Sequence, residues 1–292
     1  MWARFSIVRT IINSRTPKAV LIYIISLIEK TIPRCEIPEF ADLNCVPKLY
    51  KYHVQETLLF TYESVPSFVF SPVAAHFSKF INKVDVKNVT MLAAGAGGPA
   101  YRLQKTLAKN GIQLKFTLSD LEPNSAPTLN RKNNQIHYIS TPTDAIHYQS
   151  SSHNELILMC GCFHHFSPAM AKSLLQNLKT QKLPVYILEL SARTVPHILY
   201  YFLFWPIVFL VAPFTKPFRW SRIIFAWLLP IFSIMYVADG LISCLKTYSK
   251  NEFLAIAHSS NDNDYNWELQ DFKFLAGLIH IRCYVGYATK TS

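Results

Sequence analysis

Charge is scarce in this sequence. Asp, Glu, Lys and Arg make up 16% of its 292 residues, against about 25% in ordinary soluble domains. Half of the residues are hydrophobic, 14% are aromatic, and the mean hydropathy is +0.16. That is ample material for one large domain, or for a domain with a sizeable insertion. Some apolar surface is therefore expected to face something other than water. Acids are the scarcer sign, with 18 Asp and Glu against 29 Lys and Arg and a net charge of +11. Such an excess suits nucleic acid or anionic lipid. The groups Arg4, Arg9, Arg15, Lys18 and Lys216, Arg219, Arg222 abut apolar runs, which favours lipid headgroups over a phosphate track. A solvated basic face is the plain alternative.

Other features are missing altogether. Cys35, Cys45, Cys160, Cys162, Cys244 and Cys283 show no disulfide-framework spacing, so a reducing, cytoplasmic setting is expected. The apolar stretch Ala19–Ile28 follows basic residues, but Thr31-Ile32-Pro33-Arg34 stands where a signal-peptide cleavage site would be. It is also too short to span a bilayer, and it reads as an interfacial or packing helix. No internal repeat or low-complexity tract is evident.

What is present is an alternation. Residues 1–30 look helical and 31–50 irregular, and 51–80 carry helical stretches broken by Pro66 and Pro72. From Val84 onward, short apolar runs (Val89–Ala94, Lys115–Ser119, Ile136–Ile139, Leu156–Cys160, Val185–Leu190) alternate with helix-like segments such as Ala100–Asn110 and Pro168–Thr180. This predicts an α/β fold, a mostly parallel sheet with helices on both faces. The alternation stops at two apolar arms, Val195–Ala212 and Ile223–Ala238, around the basic, Pro-containing turn Pro213–Arg222. Ser249 with Glu252 reads as a capping box, and Trp267–Lys273 and His280–Ala288 read as two further strands.

The sharpest motif is Leu92-Ala93-Ala94-Gly95-Ala96-Gly97-Gly98-Pro99-Ala100, after a predicted strand and before a helix. Glycines there let the backbone turn tightly and approach a ligand, and free N–H groups at the helix start face its polar end. Asp120 follows Gly95 by 25 residues at the end of the second strand, where a carboxylate meets a ribose diol. Asp144 follows the third strand and is placed to meet an exocyclic adenine amine. Three loops thus converge on the edge where such sheets bind ligands.

The run Val89–Leu190 resembles a class I S-adenosylmethionine-dependent methyltransferase. Gly95-Ala96-Gly97-Gly98-Pro99 resembles its first motif, Ser119-Asp120-Leu121 its ribose-binding acid, and Thr143-Asp144-Ala145 its adenine loop. Leu158 to Phe166 resembles the end of its fourth strand, with the His-His signature of small-molecule methyltransferases. The last two strands resemble its antiparallel pair, and Asp239–Leu245 beside a hydrophobic insertion is similar to a bacterial branch of the family. The resemblance implies a Rossmann-like sheet with an antiparallel last strand and S-adenosyl-L-methionine as cofactor. Gly95, Ala96 and Gly97 would lie at its methionine end, Asp120 and Leu121 at the ribose, Asp144 and Ala145 at the adenine, and Cys160 along the cleft. His164 or His165 would orient or deprotonate the acceptor. It also implies three parts: an N-terminal extension over 1–80, a core of 81–193 with 246–292, and an insertion over 194–245. One departure stands out, because the family carries Asp or Glu at the position of Ala93.

Alternatives follow from the same residues. Gly95-x-Gly97-x-x-Ala100 also satisfies a dinucleotide fingerprint, which would make the chain an NAD-dependent oxidoreductase, but no second mononucleotide half is evident. Cys160, Cys162, His164 and His165 are all possible metal ligands, yet they crowd into six residues with no second Cys/His pair, and no metal is expected. Cys160 and Cys162 should point the same way along a strand. This loop lacks an Asn-Pro-Pro-Tyr element, which argues against nucleic-acid substrates.

Each apolar arm, about 16 to 18 residues, makes about 24–27 Å of helix, short of a hydrocarbon core of about 30 Å. Pro206 and Pro230 would shorten the arms further. Two full spans would also put Lys216, Arg219 and Arg222 on the far side, against the usual bias of basic residues. A hairpin lying in the interface, its basic turn near headgroups, is therefore favoured over spanning arms or a protein-packed lid. Tyr200, Tyr201, Phe202, Phe204 and Trp205 could deliver or shelter a hydrophobic substrate. The expectation is a methyltransferase for a lipid or other apolar small molecule at the cytoplasmic face of a membrane. A non-catalytic membrane-associated binding protein on the same fold is the alternative, motivated by Ala93.

Overall fold

The computed structural model describes residues 32–124, 133–152, 154–258 and 264–289, apart from the side chains of Phe204 and Trp205. The expected helix over residues 1–30, with Arg4, Arg9, Arg15 and Lys18, lies outside the described residues.

The apolar runs form five parallel strands: β1 (Asn88–Leu92), β2 (Lys115–Leu118), β3 (Ile136–Tyr138), β4 (Glu155–Cys160) and β5 (Val185–Glu189). Every residue of β4 and β5 is buried, as strands covered on both faces must be. The hairpin β6 (Tyr265–Phe274) and β7 (Ile279–Ala288) completes the sheet in the order β3-β2-β1-β4-β5-β7-β6. Strand β7 runs antiparallel beside β5, where a second mononucleotide half would otherwise continue the sheet. The sheet is Rossmann-like with an antiparallel last strand, as expected, and not the doubled dinucleotide-binding one.

Helices cover both faces. On one side α2 (Ser67–Val84) and α3 (Ala100–Lys109) lay Val73, Phe77, Leu103 and Leu107 against Leu118, Leu158 and Leu188. On the other, α4 (Pro168–Thr180) and α7 (Lys250–Ala257) bring Leu174, Leu178 and Phe253 to Ile157, Ile187 and Tyr284. Their starts are sequence-coded. Ser167 caps α4 ahead of Pro168, and Ser249 and Glu252 form a capping box at α7. Pro66 separates α1 (Lys48–Ser64) from α2, because the residue before proline avoids helical backbone. Pro72, expected to break a helix, sits inside α2 instead. So near the helix start it costs one hydrogen bond, which the apolar face against the sheet outweighs.

The insertion is a hairpin with a broken second arm. Helix α5 (Val195–Val211) is followed by helical turns over Trp220–Ile223 and Ile224–Leu228, and then by α6 (Ile231–Lys246). The break at Leu229-Pro230 bends the second arm by 82°. Helix α6 continues past Ala238 because Asp239 is buried and accepts hydrogen bonds from Phe40 N, Ala41 N and Tyr50 Oη. Val208, Ala212, Ala226, Phe232 and Val237 pack on Tyr50 and Val54 of α1.

The basic turn differs from expectation. Arg222 is fully buried and pairs with the equally buried Glu56 of α1, and Arg219 Nη2 reaches the same carboxylate at 2.8 Å. Of the three basic residues proposed for headgroups, only Lys216 is exposed. Glu56, one of two acids in α1, gave no sign of being their partner.

Removing one member of a buried pair strands the other charge. Arg222→Met should therefore cost about 3–5 kcal/mol in a urea unfolding series, with Glu56→Gln/Arg222→Met less costly than the single change. Equal stability of Arg222→Met and wild type would show that the pair does not anchor the insertion.

Candidate functional site

The Gly-rich turn joins β1 to α3 at the C-terminal edge of the sheet. Ala93 has φ 51° and Gly97 φ 111°, so the chain folds back on itself and Gly97 N donates to Ala94 O at 2.8 Å. The neighbouring loops are tied to this turn. Asp120 Oδ2 accepts from Gly95 N at 2.7 Å and Oδ1 from Glu122 N at 2.8 Å. Tyr138 Oη donates to Gly95 O at 2.6 Å, and Thr143 N donates to Asp120 O at 2.9 Å. The loops after β1, β2 and β3 thus form one hydrogen-bonded unit, as the converging motifs required. Burial raises Asp120, and the Gly95 and Glu122 amides offset part of that rise.

Other expected residues are placed less uniformly. Ala96 is buried beneath the turn, and Leu121 is exposed beside Asp120. Ala145 is buried, whereas Asp144 is exposed and accepts from Ile146 N and faces His147 Nδ1 at 2.8 Å. Burial opposes the shift, but His147 and the Ile146 amide hold Asp144 below the usual carboxylate range. Cys160 is buried and donates its S–H to Tyr62 Oη at 3.3 Å. Cys162 does not share its direction. Gly161 has φ 61°, which turns the chain, so Cys160 joins the core under α2 and Cys162 the one under α4.

Whether these loops fit a nucleoside cofactor is tested by two buried polar atoms. Gln55 Oε1 and Asn124 Nδ2 have no hydrogen-bond partner among the described residues. The Gln55 side chain lies 3.2 Å from the point where a Cβ on Gly95 would stand. Asn124 N is held by Tyr138 Oη at 3.0 Å. Buried polar groups are rarely left unpaired, so an acceptor and a donor beside the Gly-rich turn fit a polar ligand there. An apolar pocket adjoins the turn, lined by Tyr62, Phe70, Phe77, Pro99, Leu158 and Leu188 among others.

The histidines sit in a helical turn, Phe163–His165, directly after β4. Glu189 at the end of β5 accepts from Phe163 N at 2.8 Å and faces His164 Nδ1 at 2.7 Å. A strap, residues 32–47, crosses from the other side. It is pinned by Cys35 N to Leu245 O, by Arg34 Nε to Lys246 O, and by Arg34 Nη2 to the carbonyls of His164 and Phe166. The strap brings Glu39 within 3.4 Å of His164 Nε2 and Asp42 within 2.8 Å of His165 Nδ1. Burial alone would lower His164, but Glu189 and then Glu39 outweigh it and raise it to about 10. Burial alone would raise Glu39, yet His165, His164 and Lys246 hold it at about 2. A histidine that keeps its proton so firmly positions a neighbour better than it accepts a proton. His165, only partly buried, is the more accessible of the two.

Sequence reasoning missed Glu39, Asp42 and Glu189. For Glu189 a signal existed, a single acid in the apolar run Val185–Leu190. Glu39 and Asp42 lie in an irregular, Pro-containing stretch whose path no local pattern fixes.

No family model matches the sequence, and no curated protein does. Among solved structures, the chain is similar to the plantazolicin methyltransferase BpumL in complex with a monoazolic desmethylPZN analog and SAH. Identity is 13% and the TM-score 0.47, covering 82% of this chain and 98% of that one. It is also similar to the CMeT domain of the citrinin polyketide synthase (11%, TM-score 0.46, 74% of this chain and 52% of that one). A third is LepI in complex with SAM (12%, TM-score 0.43, 70% and 43%).

The turn makes its own prediction. A Cβ on Gly97 would stand 2.6 Å from Tyr101 Cε2, in a backbone conformation L side chains rarely adopt, whereas one on Gly111 meets nothing within 4 Å. Gly97→Ala should cost about 1–3 kcal/mol by urea unfolding, and Gly111→Ala about 1 kcal/mol. Equal costs would mean that the turn yields without strain.

Proposed function

We propose that the chain transfers a methyl group from S-adenosyl-L-methionine to a lipid or other apolar small molecule at a membrane surface. The observation that carries this reading is the tie between Gly95 N and Asp120, which locks the β1 and β2 loops together where a nucleoside would lie. In this reading the turn Gly95-Ala96-Gly97 admits the methionine end. Each Asp120 oxygen already accepts one amide and retains a lone pair for a ribose hydroxyl. Leu121 flanks the ribose, Asp144 and Ala145 the adenine, and Cys160 and Tyr62 wall the cleft. The bound cofactor supplies an electrophilic methyl on a sulfonium. Transfer from it needs alignment more than acid–base machinery, which suits His164 and His165 as orienting groups.

Ala93 leaves the cofactor's ammonium without the acid usual at that position. The buried, unpartnered Gln55 Oε1 beside Gly95 offers a neutral acceptor in its place. Ala93 also motivates the second reading, a binding protein without turnover. Calorimetric titration of the detergent-purified protein separates the two. The first reading expects micromolar binding of S-adenosylmethionine and S-adenosylhomocysteine, with none of NAD. Asp120→Ala should weaken that binding by about 1–3 kcal/mol, the scale for hydrogen bonds to a charged group. Folded protein that takes up neither sulfur compound would hand the case to the non-catalytic reading, and an unchanged affinity would remove Asp120 from the site.

The membrane part rests on exposed side chains. Leu199, Phe202, Leu203, Leu210, Phe214, Trp220, Trp227 and Leu228 of the insertion are each at least 50% exposed, on a scale that monomeric soluble proteins rarely present. Among the described residues no single helix is long and apolar enough to cross a bilayer, although the bent pair Trp220–Leu228 and Ile231–Lys246 passes that test together. A hairpin lying in the interface on the cytoplasmic face accounts for both, and its grip is mainly apolar because Arg219 and Arg222 are engaged with Glu56. The protein should float with vesicles of neutral and anionic lipid at moderate salt, and Phe214→Ser/Trp220→Ser/Leu228→Ser should remain at the bottom of the gradient. Wild type that fails to float removes the membrane from the proposal.

A further inference from the structure

The His-His turn and the strap place a second kind of site beside the cleft. Both imidazoles are held in the same way. His164 Nδ1 faces the Glu189 carboxylate at 2.7 Å, and His165 Nδ1 faces the Asp42 carboxylate at 2.8 Å. A ring that donates Nδ1–H to a carboxylate is oriented to offer Nε2 to a metal, the usual arrangement of metal-bound histidine. Here both Nε2 atoms converge on one group, Glu39, with His164 Nε2 3.4 Å from Oε1 and His165 Nε2 3.6 Å from Oε2. One donor atom from each of the three residues lies within 4.8 Å of the others.

Those separations are long for hydrogen bonds. They are close to the roughly 3.3 Å between ligand atoms around a tetrahedral ion with bonds of about 2.0 Å. His164 Nε2 and Glu39 Oε1 are buried with no hydrogen-bond partner among the described residues, and the two side chains are only 3% and 5% exposed. The charges agree. Glu39, Asp42 and Glu189 supply three carboxylates, and Lys246 Nζ, 2.9 Å from Asp42 and 3.5 Å from Glu39, supplies one ammonium. Three carboxylates against one ammonium leave two negative charges, which one divalent ion offsets once it has displaced the proton that His164 holds in its absence.

We propose that Glu39, His164 and His165 bind one divalent first-row transition ion of the Zn²⁺ type, through the Glu39 carboxylate and the two Nε2 atoms. Asp42 and Glu189 orient the rings. The strap is the second ligand segment, supplying a carboxylate in place of a second Cys/His pair. Cys160 and Cys162 take no part, since both lie in the core. Three protein ligands leave a fourth position for water or an acceptor atom, the pattern of a catalytic rather than a closed structural site. The inference does not depend on methyl transfer, because its test uses the metal alone.

Untagged, chelator-stripped protein would be titrated with ZnCl₂ by calorimetry and with CoCl₂ by visible absorption. The expected result is one ion per chain at micromolar affinity or tighter, with the intense visible d–d bands of low-coordinate Co²⁺ and no thiolate charge-transfer band. His165→Ala, at the accessible member of the set, and Glu39→Gln should each weaken Zn²⁺ at least tenfold. Asp42→Asn, which loosens the orientation of His165, should weaken it by about 10–100-fold. Circular dichroism would establish that each variant is folded, and unfolded variants would be replaced by His165→Gln. Absence of uptake by folded wild type overturns the site, as does a thiolate band, or Zn²⁺ affinity unchanged in folded His165→Ala or His165→Gln.

Discussion

The Glu189 carboxylate ends β5 in a nearly water-free place, 1% exposed, and it is held there by Phe163 N and His164. A buried carboxylate is costly without partners, so the turn after β4 must sit where its amide and imidazole reach that acid. His164 then presents its other nitrogen to Glu39, and the strap is drawn across the sheet edge. Arg34 on the carbonyls of the His-His turn, and Lys246 on Asp42, close the same loop of contacts. Removing Glu189 from this network would leave His164 without its first partner and Phe163 N without its acceptor.

A second buried charge organises the insertion. Glu56 on α1 draws Arg219 and Arg222 inward, so the insertion's turn is fixed to α1 rather than left free. Its consequence is a division of labour in the hairpin. One surface packs on Tyr50 and Val54, and another leaves large apolar side chains uncovered. Two of the three basic residues that a membrane-facing hairpin would use at headgroups, Arg219 and Arg222, are tied to protein instead, so contact with lipid would rest mainly on apolar burial.

Much of the sheet was legible because strands of a doubly covered parallel sheet are short, continuous and apolar. All seven expected strands appear within three residues of their anticipated ends. The capping box of Ser249 and Glu252 announces its helix by residue type and spacing alone. The Gly-rich turn and Asp120 were legible too, since a glycine at φ 111° and an acid at the end of the adjacent strand mark themselves by residue type. Misreadings arose where a local rule met a tertiary one. Pro72 is tolerated because α2 is held by the core, and Cys160 and Cys162 diverge because Gly161 leaves the strand in the left-handed region.

The sequence by itself determined the order of elements, the sheet, the Gly-rich turn and the presence of an apolar insertion, because each is written in the spacing or type of residues near one another. Only the tertiary structure decided which acid meets which base. Glu39 lies 125 and 126 positions from the histidines it faces, and Glu56 lies 166 from Arg222. Nothing local selects such partners. They are chosen when the chain folds and each buried charge has to find an opposite charge or a hydrogen-bonding group within reach.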